Sequence, residues 1–416
     1  MKQLFIHCSP NVTQSALLEH GRLTEFSVER VEGTSQIGNL YKGRVINVLP
    51  GMQAAFVDIG LSKNAFLYVD DLLHPHLEKQ PKDKPLITDL LKPGDELLVQ
   101  MMKEPLGGKG ARVTTHYSIP GRCLVYMPNA DYIGVSKKIE QDSERSRLKA
   151  LVEAIRQDEE GIILRTNAGG ESQHSLMEDL SALRMLWHSV LERSESSSAP
   201  KVLHRDFGLV YRMMRDVITP DTEQLIIDEE NCLLEAKAYL RQAAPALEEK
   251  AFLYQERRPM FEKYGINVQL ERAFQSKIRL ESGGDLAWDQ TEALTVIDVN
   301  TGKFIGTTDL EETVFRTNME AATTIAWLLR LRDVGGIIIV DFIDMTTEEH
   351  RGRVVQQLEA AMKKDQTKCQ VIGWTRLGLL EITRKKSRES VSNYFLETCP
   401  TCKGRGKLSV HYHNVR

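Results

Sequence analysis

Three acids and an amide stand where two apolar runs give out. LTVIDVNTG (294–302) carries Asp298 and Asn300, and GGIIIVDFIDM (335–345) carries Asp341 and Asp344. Open α/β sheets place their ligand sites at the C-terminal ends of strands, so acids there are candidates for chemistry. Along a strand, residues two apart share a face, which puts Asp298 and Asn300 on one side and Val299 on the other. Asp341 and Asp344 are three apart and face opposite ways in an extended chain. One of them is therefore expected to join Asp298, and Asp344 lies further toward the open end. Two carboxylates and an amide oxygen, with no His or Cys nearby, form a hard-oxygen set suited to Mg²⁺ or Mn²⁺. The same acids would also serve as plain caps of strands and turns, where Asp is common, and spacing alone does not choose between the two.

The elements that must position these residues can be read from the same stretch. Between the runs, DLEETVFRTNMEAATTIAWLLRLRDVGG has a helical pattern, with Asp309 and Glu312 spaced as a capping box and Gly335-Gly336 ending it. The unit is strand–helix–strand, expected as a right-handed parallel crossover.

A chain of 416 residues should hold two or more domains. Its 54 basic and 58 acidic residues give a net charge of −4, which is no global signature of a nucleic-acid binder. Local distribution carries more. Residues 363–388 hold Lys363, Lys364, Lys368, Arg376, Arg384, Lys385, Lys386 and Arg388 against Asp365 and Glu381, a net +6 just downstream of the acids. A solvated helix face is the ordinary explanation of such a run, and closeness to a metal-type acid set argues for a role on an anionic chain. With no apolar stretch long enough to span a membrane and no secretory leader, the chain reads as soluble and cytoplasmic. Six Cys, widely spaced apart from one close pair, fit a reducing compartment.

In chain order, residues 1–34 open with KQLFIHCS and RLTEFSVER, a hairpin-like and chemically silent start. From Gly38, short alternating strands punctuated by Gly and Pro predict a small β-barrel. Lys42, Arg44, Phe56, Lys63, Phe66, Lys103, Lys109 and Arg112 interleave aromatic faces for bases with cations for phosphates. Phe56 and Phe66 fit barrel core equally well. GGKG at 107–110 lacks the Walker spacing of a phosphate loop. Residues 117–200 carry strands at CLVYM and GIILRT, a helix from about 140 to 157, and a Ser-rich edge, ERSESSSAPK. RTNAGG offers Arg165, Thr166 and backbone N–H groups to an anion such as a terminal phosphate, although a strand-end Arg is ordinarily surface. From Val202 to about Gln275 the pattern is α/β without convergent acids, and this segment is a candidate to pair with residues 1–34. Cys399 and Cys402 make a C-x2-C half-site for Zn²⁺, shaped by Pro400 and Gly404. His411 and His413, or the same Cys pair of a second subunit, could supply the other half; a redox pair or unliganded thiols are the alternatives.

Taken together, YKGRV, AAFVDIG, KGARVTT, CLVYMPN, LRTNAGG, SGGDLAWDQTEALTVIDVNTG, RLRDVGGIIIVDFIDM, GLLEITR and TCPTCKGRG closely resemble the bacterial ribonuclease E/G family, in order and along essentially the whole chain. QTEALTVIDVN and GGIIIVDFIDM are the most specific segments. The resemblance implies a multidomain α/β architecture. Residues 1–34 and 201–272 would form an RNase H-like fold interrupted by an S1-type RNA-binding barrel of the OB class (35–116) and a 5′-sensor region (117–200). A DNase I-like catalytic subdomain (273–396) and a zinc-link with its tail (397–416) would follow.

By the same resemblance the chain is expected to be an Mg²⁺-dependent endoribonuclease of RNA processing and decay, including ribosomal RNA processing. It would cut single-stranded RNA to 5′-phosphate and 3′-hydroxyl ends. Asp298 and Asp344 would ligate one Mg²⁺ per subunit, with Asn300 orienting Asp298 or the scissile phosphate and Asp341 in a supporting place. Phe56 and Phe66 would stack on RNA beside Lys109 and Arg112. Gly121, Val125, Arg165, Thr166 and Arg376 would hold an RNA 5′-monophosphate. Cys399 and Cys402 would share one Zn²⁺ across a homodimer, with no small-molecule cofactor and no membrane.

Two departures qualify the match. Lys137 stands where the family's sensor has an Arg, a point charge in place of a bidentate fork, so weaker monophosphate selectivity is expected. The sequence stops soon after the zinc-link, so the family's C-terminal small domain is expected to be missing and the assembly to be a dimer rather than a tetramer. The rival reading from another class is a noncatalytic RNA-binding assembly protein.

Overall fold

The computed structural model describes residues 1–30, 36–73, 85–105, 109–291, 293–302, 310–386, 391–397, 399–402, 404 and 406. Asp309, Gly107-Gly108, Arg388, His411 and His413, all used above, lie outside the described residues. The chain divides into two compact units, one of residues 1–28, 221–233 and 250–416, the other of residues 29–220 and 234–249.

The first unit contains two sheets. In the five-stranded sheet, Lys2–Cys8 pairs in parallel with Thr222–Ile227 on one side and antiparallel with Val12–Glu19 on the other. The chain from Arg30 to Thr222 therefore connects two strands of one sheet, the edge strand Arg22–Arg30 and Thr222–Ile227. The six-stranded sheet runs Lys277–Arg279, Asp285–Gln290, Leu294–Asn300, Gly336–Asp341, Leu380–Arg384, Cys369–Trp374. Leu294–Asn300 and Gly336–Asp341 pair in parallel with helix Leu310–Leu331 between them in sequence, while the other pairs are antiparallel. Alternation sorts the central strands cleanly. Thr295, Ile297, Val299, Ile338 and Val340 are buried, whereas Asp298, Asn300, Ile337 and Asp341 are exposed. The buried face meets the apolar stripe of Leu310–Leu331, including Ala322, Ile325 and Leu329, and Val354 and Leu358 of helix Glu348–Met362 join the same core.

The end of helix Leu310–Leu331 differs from the sequence expectation. The left-handed residue that stops it is Asp333, at φ 48°, and not the glycine pair. Asp and Asn tolerate this region better than other side chains. Gly335 answers a different need, because a Cβ there would lie 2.6 Å from Cα of Lys386.

The second unit holds a closed five-stranded barrel of Leu40–Leu49, Ala54–Asp58, Ala65–Tyr68, Arg112–Thr114 and Glu96–Lys103, the last pairing back onto the first. Lys201–His204 adds to Leu40–Leu49 alongside it. The core is Val45, Val57, Leu67, Val99, Met101 and Val113. Gly43 permits the closure, since a Cβ there would sit 2.5 Å from Cγ1 of Val57. A separate four-stranded sheet, Ile133–Val135, Gly161–Leu164, Leu124–Met127, Ile119–Pro120, shares a core with helices Asp142–Ile155 and Gln173–Ser196.

Candidate active site

The parallel register sets Asp298 opposite Asp341 at the shared C-terminal end of their strands. Side chains opposite one another in a pair emerge on the same face, so Asp298 and Asp341 are neighbours on the exposed face of the sheet. Asn300 follows on the exposed face and donates from Nδ2 to Oδ2 of Asp298 at 2.8 Å, fixing that carboxylate. Gly302, at φ 58°, turns the chain away where a Cβ would lie 2.6 Å from the Gly283 carbonyl oxygen.

The strand stops at Asp341, so alternation does not extend to Asp344. A loop carries Asp344 instead, and two groups hold that loop. Asn318, fully buried on helix Leu310–Leu331, donates from Nδ2 to the Ile343 carbonyl at 2.8 Å and accepts the Ile343 N–H at 3.1 Å. Glu311 accepts the Thr346 N–H at 3.2 Å and pairs with Nδ1 of His350 at 2.8 Å, and these partners hold its carboxyl below the usual range. The His350 ring in turn stacks on Phe315, with centroids 4.3 Å apart. Asp344 is thus presented from a braced loop.

Burial pushes the Asp341 carboxyl above its ordinary range, and the charges of Asp298 and Asp344 push it the same way. All three acids therefore share one electrostatic neighbourhood. None of the three has an ion-pair partner among the described residues.

The donor set fits a hard divalent cation. Among the described residues no group of three or more His, Cys, Asp or Glu side chains is drawn closely enough together to cage a metal. Mg²⁺ does not require such a cage, because it keeps several waters and is ordinarily bound through one or two carboxylates. Mutually repelling carboxylates without a cation are the arrangement that such an ion relieves.

In the barrel, Phe56 and Phe66 face each other across neighbouring strands, with centroids 6.0 Å apart at 72°. Ala55, Val57, Ala65 and Leu67 on either side are buried, while the two rings are only half-buried and outside the core. The core alternative is thereby excluded. Lys109 is exposed. Arg112 is committed at least in part to its own fold, donating Nε and Nη2 to Asp71 at 2.9 and 2.8 Å. Lys42 is likewise occupied, donating to the Ser194 and Ser197 carbonyls.

In the four-stranded sheet, Gly121, Val125, Arg165 and Thr166 come together. Arg165 donates to the Gly121 carbonyl at 2.6 Å and pairs with Asp216 at 2.7 Å. Val125 sits opposite Ile163. Thr166 Oγ1 shares a hydrogen bond with Ser136, next to the exposed Lys137. The turn before the strand is organised by Asp179, which accepts the N–H groups of Arg122, Cys123 and Leu124. Gly121 leaves room for that carboxylate, since a Cβ would lie 2.6 Å from Oδ1 of Asp179. Arg376 belongs to the other unit, exposed in the turn after Cys369–Trp374.

Comparison with known proteins identifies relatives of the chain. A model described as the ribonuclease E/G family matches residues 118–387. The chain is 46% identical, over 98% of its length, to ribonuclease G of Haemophilus influenzae and covers 84% of that relative. It is 42% identical to ribonuclease G of Escherichia coli with the same coverage. A ribonuclease E from a Nostoc species is 38% identical over 96% of the chain, which covers 58% of that longer relative. The chain belongs to the ribonuclease E/G family. Its match to that family includes both acid-bearing strands and the Asn318 helix.

Toward the end of the chain, Cys399 is exposed and Cys402 half-buried. The backbone N–H groups of Cys402 and Thr401 draw the Cys399 thiol below its ordinary range, which favours the thiolate, the form a zinc ion would require. Two thiolates fit half of a tetrahedral site.

One part of the basic run reads differently in the structure. Arg384 is only 4% exposed and is paired with Asp365 at 2.8 Å and Asp333 at 2.6 Å. Burial disfavours its charge, but the two carboxylates outweigh burial and raise its affinity for the proton. Arg384 and Asp365 are internal structure, not a surface offered to an anion. Sequence reasoning missed Asn318, Glu311 and His350. The available signal was Asn318 itself, an amide on the apolar face of a helix, which must find partners when buried.

Proposed function

We propose that this chain, an RNA-cleaving endoribonuclease by family membership, hydrolyses single-stranded RNA at the acid cluster of Asp298, Asp341 and Asp344 with Mg²⁺. The observation that carries this reading is three carboxylates within electrostatic reach of one another at one strand end, with no ion-pair partner among the described residues, and with Asn300 fixing Asp298 and Asn318 bracing the loop of Asp344. Asp298 and Asp344 would hold the ion, and Asp341 would add negative charge beside Asp298. When bound, the ion would lower the pKa of a water and stabilise charge on the scissile phosphate. Asn300 keeps the Asp298 carboxylate in one rotamer through its N–H, leaving the amide oxygen outside that bond. In the hydrolysis, the oxygen of water joins phosphorus and the O3′ bond breaks. The leaving O3′ takes up a proton, giving a 5′-phosphate on one product and a 3′-hydroxyl on the other.

The barrel, read as an S1-type domain, would hold the strand. Phe56 and Phe66 offer outward ring faces for stacking, with Arg112 on the strand paired to Phe66 and partly neutralised by Asp71, and Lys109 just before that strand in the chain. Gly121, Val125, Arg165 and Thr166 would receive the RNA 5′-monophosphate. The surrounding folds are read as RNase H-like and DNase I-like, within the boundaries drawn from the sequence. Cys399 and Cys402 would share one structural Zn²⁺ per homodimer. The noncatalytic reading falls with family membership and the intact acids.

Mapping of cleavage ends on one RNA carrying either a 5′-monophosphate or a 5′-triphosphate, in Mg²⁺, tests reaction, metal and sensor together. The expected result is 5′-phosphate and 3′-hydroxyl ends, formed faster from the monophosphate. Cyclic-phosphate ends would overturn the hydrolytic scheme, and equal rates would remove the sensor.

A further inference from the structure

Two adjoining cavities in the barrel-bearing unit carry chemistry that the proposed function does not use. One, of about 420 Å³, is walled by Arg193, Lys201, His204 and Arg205. The other, of about 360 Å³, shares His204 and is walled by Phe207 and Tyr211 with apolar groups that include Met101 and Leu183.

The first cavity is cationic. Arg193 donates to the Leu203 carbonyl at 2.9 Å and to Ser189 Oγ at 2.6 Å, so its guanidinium is held by neutral oxygens. Among the described residues, neither Arg193, Lys201 nor Arg205 has a carboxylate partner. Asp206, which lines the second cavity, is engaged by Arg215 at 3.5 Å and by the Phe207 N–H at 2.9 Å. A charge run on a helix face is commonly just solvated. These cations instead wall a concavity, beside a strand that extends the barrel sheet.

The second cavity offers a ring. Phe207 is 37% exposed and stacks on Tyr211 with centroids 3.7 Å apart at 20°. Tyr239 supports Tyr211 from behind at 4.4 Å, edge to face. His204 meets Phe207 edge-on at 5.7 Å, and burial keeps its imidazole below the ordinary range, so it contributes a neutral ring at pH 7. An exposed ring on a rigid aromatic ladder is a stacking platform with little entropy left to lose. Cations beside such a platform match the two halves of a nucleotide, with phosphate contacts giving attraction and the ring holding the base.

We infer that these cavities form a second RNA contact, binding one nucleotide of a single strand with its base against Phe207 and its flanking phosphates against Lys201 and Arg205. The contact would lengthen the RNA footprint beyond the Phe56 and Phe66 surface. It rests on the reading that the substrate is single-stranded RNA.

The test uses the full chain carrying Asp298→Asn, so that RNA is not consumed. Binding of a fluorescent single-stranded oligoribonucleotide is measured across a KCl series. Lys201→Glu with Arg205→Glu should weaken binding about tenfold or more and flatten the log–log salt slope by about 1.4, at about 0.7 for each phosphate no longer neutralised. Phe207→Ala should weaken binding about tenfold and leave the slope unchanged, and Phe207→Tyr should restore it. RNA carrying 5-iodouridine should cross-link to the peptide containing Phe207. Unchanged affinity and slope in the charge variant, with Phe207→Ala and Phe207→Tyr both binding as the parent does, would overturn the inference. So would a weakening on charge reversal that is equal for duplex and single strand with no effect at Phe207, which would mean a nonspecific basic surface. Arg205→Lys, which keeps the charge, should preserve the slope and shows whether a failed charge-reversal variant is merely misfolded. If the chain without Asp298→Asn fails to cleave single strands while this binding persists, the catalytic reading fails and the nucleotide contact stands.

Discussion

Strand Gly336–Asp341 has a charge cluster at each end, and the two are built oppositely. At its start, Arg384 lies opposite Gly336 and is buried between Asp365 and Asp333, one cation against two carboxylates with short hydrogen bonds to each. At its far end, Asp341, Asp298 and Asp344 lie exposed together, three carboxylates with no cation among the described residues. Buried charges persist in a fold only when paired, because desolvation is otherwise too costly. The first cluster obeys that rule and is complete. The second tolerates repulsion because water reaches it, and the proposed Mg²⁺ would complete it. Charge alone would have ranked the two ends alike; compensation separates structure from chemistry.

The largest effect expected from this contrast concerns the ion. Removing divalent cations with EDTA should stop RNA cleavage, a fall of at least about a thousandfold if the ion supplies several kcal/mol of transition-state stabilisation. The Arg384 cluster holds no metal, so withholding Mg²⁺ alone should leave the melting transition in place, whereas EDTA would also remove the zinc proposed at Cys399 and Cys402. Cleavage that continues undiminished in EDTA would break the comparison at its active end.

The structural end should fail differently. Asp365→Ala leaves Arg384 buried with one partner fewer, and a destabilisation of about 3–5 kcal/mol is expected by urea denaturation. Molecules that remain folded should cleave at close to the parent rate. A stability change under about 1 kcal/mol would show that the pair is better hydrated than its burial indicates.

Asn318 connects the core to the active end. Asn318→Leu keeps the branching of the side chain but strips the Ile343 N–H and carbonyl of their partners, for a cost of about 1–3 kcal/mol. Because the damage falls on the Asp344 loop, cleavage should drop by more than RNA affinity, with the Mg²⁺ concentration needed for half-maximal rate rising. A stability loss with an unchanged Mg²⁺ requirement would make Asn318 a core residue only. The smallest effect is expected at the barrel. Phe56→Ala should weaken RNA binding about tenfold by removing a stacking ring while leaving the Mg²⁺ requirement alone, as measured by anisotropy beside cleavage.

What the sequence could show follows from how local each feature is. The acid strands were legible because an apolar run that breaks into Asp is a pattern within one segment, and the parallel pairing followed from the helix between them. The choice between Asp341 and Asp344 was not legible by alternation, because the strand ends at Asp341 and the loop beyond it takes its shape from Asn318 and Glu311, far back in the chain. Phe56 and Phe66 were ambiguous because a barrel strand has two faces, and only closure decides which is inside. Arg384 was grouped with the exposed Lys residues around it because its burial depends on Asp333, which precedes it by a whole strand–helix–strand stretch. The cavity beside Phe207 was invisible in sequence for the same reason, with walls drawn from Met101, Leu183 and His204 in three separate segments.

The central claim is that the uncompensated acids are the catalytic centre. It is tested most directly by measuring single-turnover cleavage of a 5′-monophosphorylated single strand by Asp298→Asn and Asp344→Asn across a Mg²⁺ titration, with RNA affinity measured in parallel. The account predicts that both variants bind RNA within a few-fold of the parent and fail to cleave it at any Mg²⁺ concentration. Metal-dependent cleavage at the parent rate by both would contradict it.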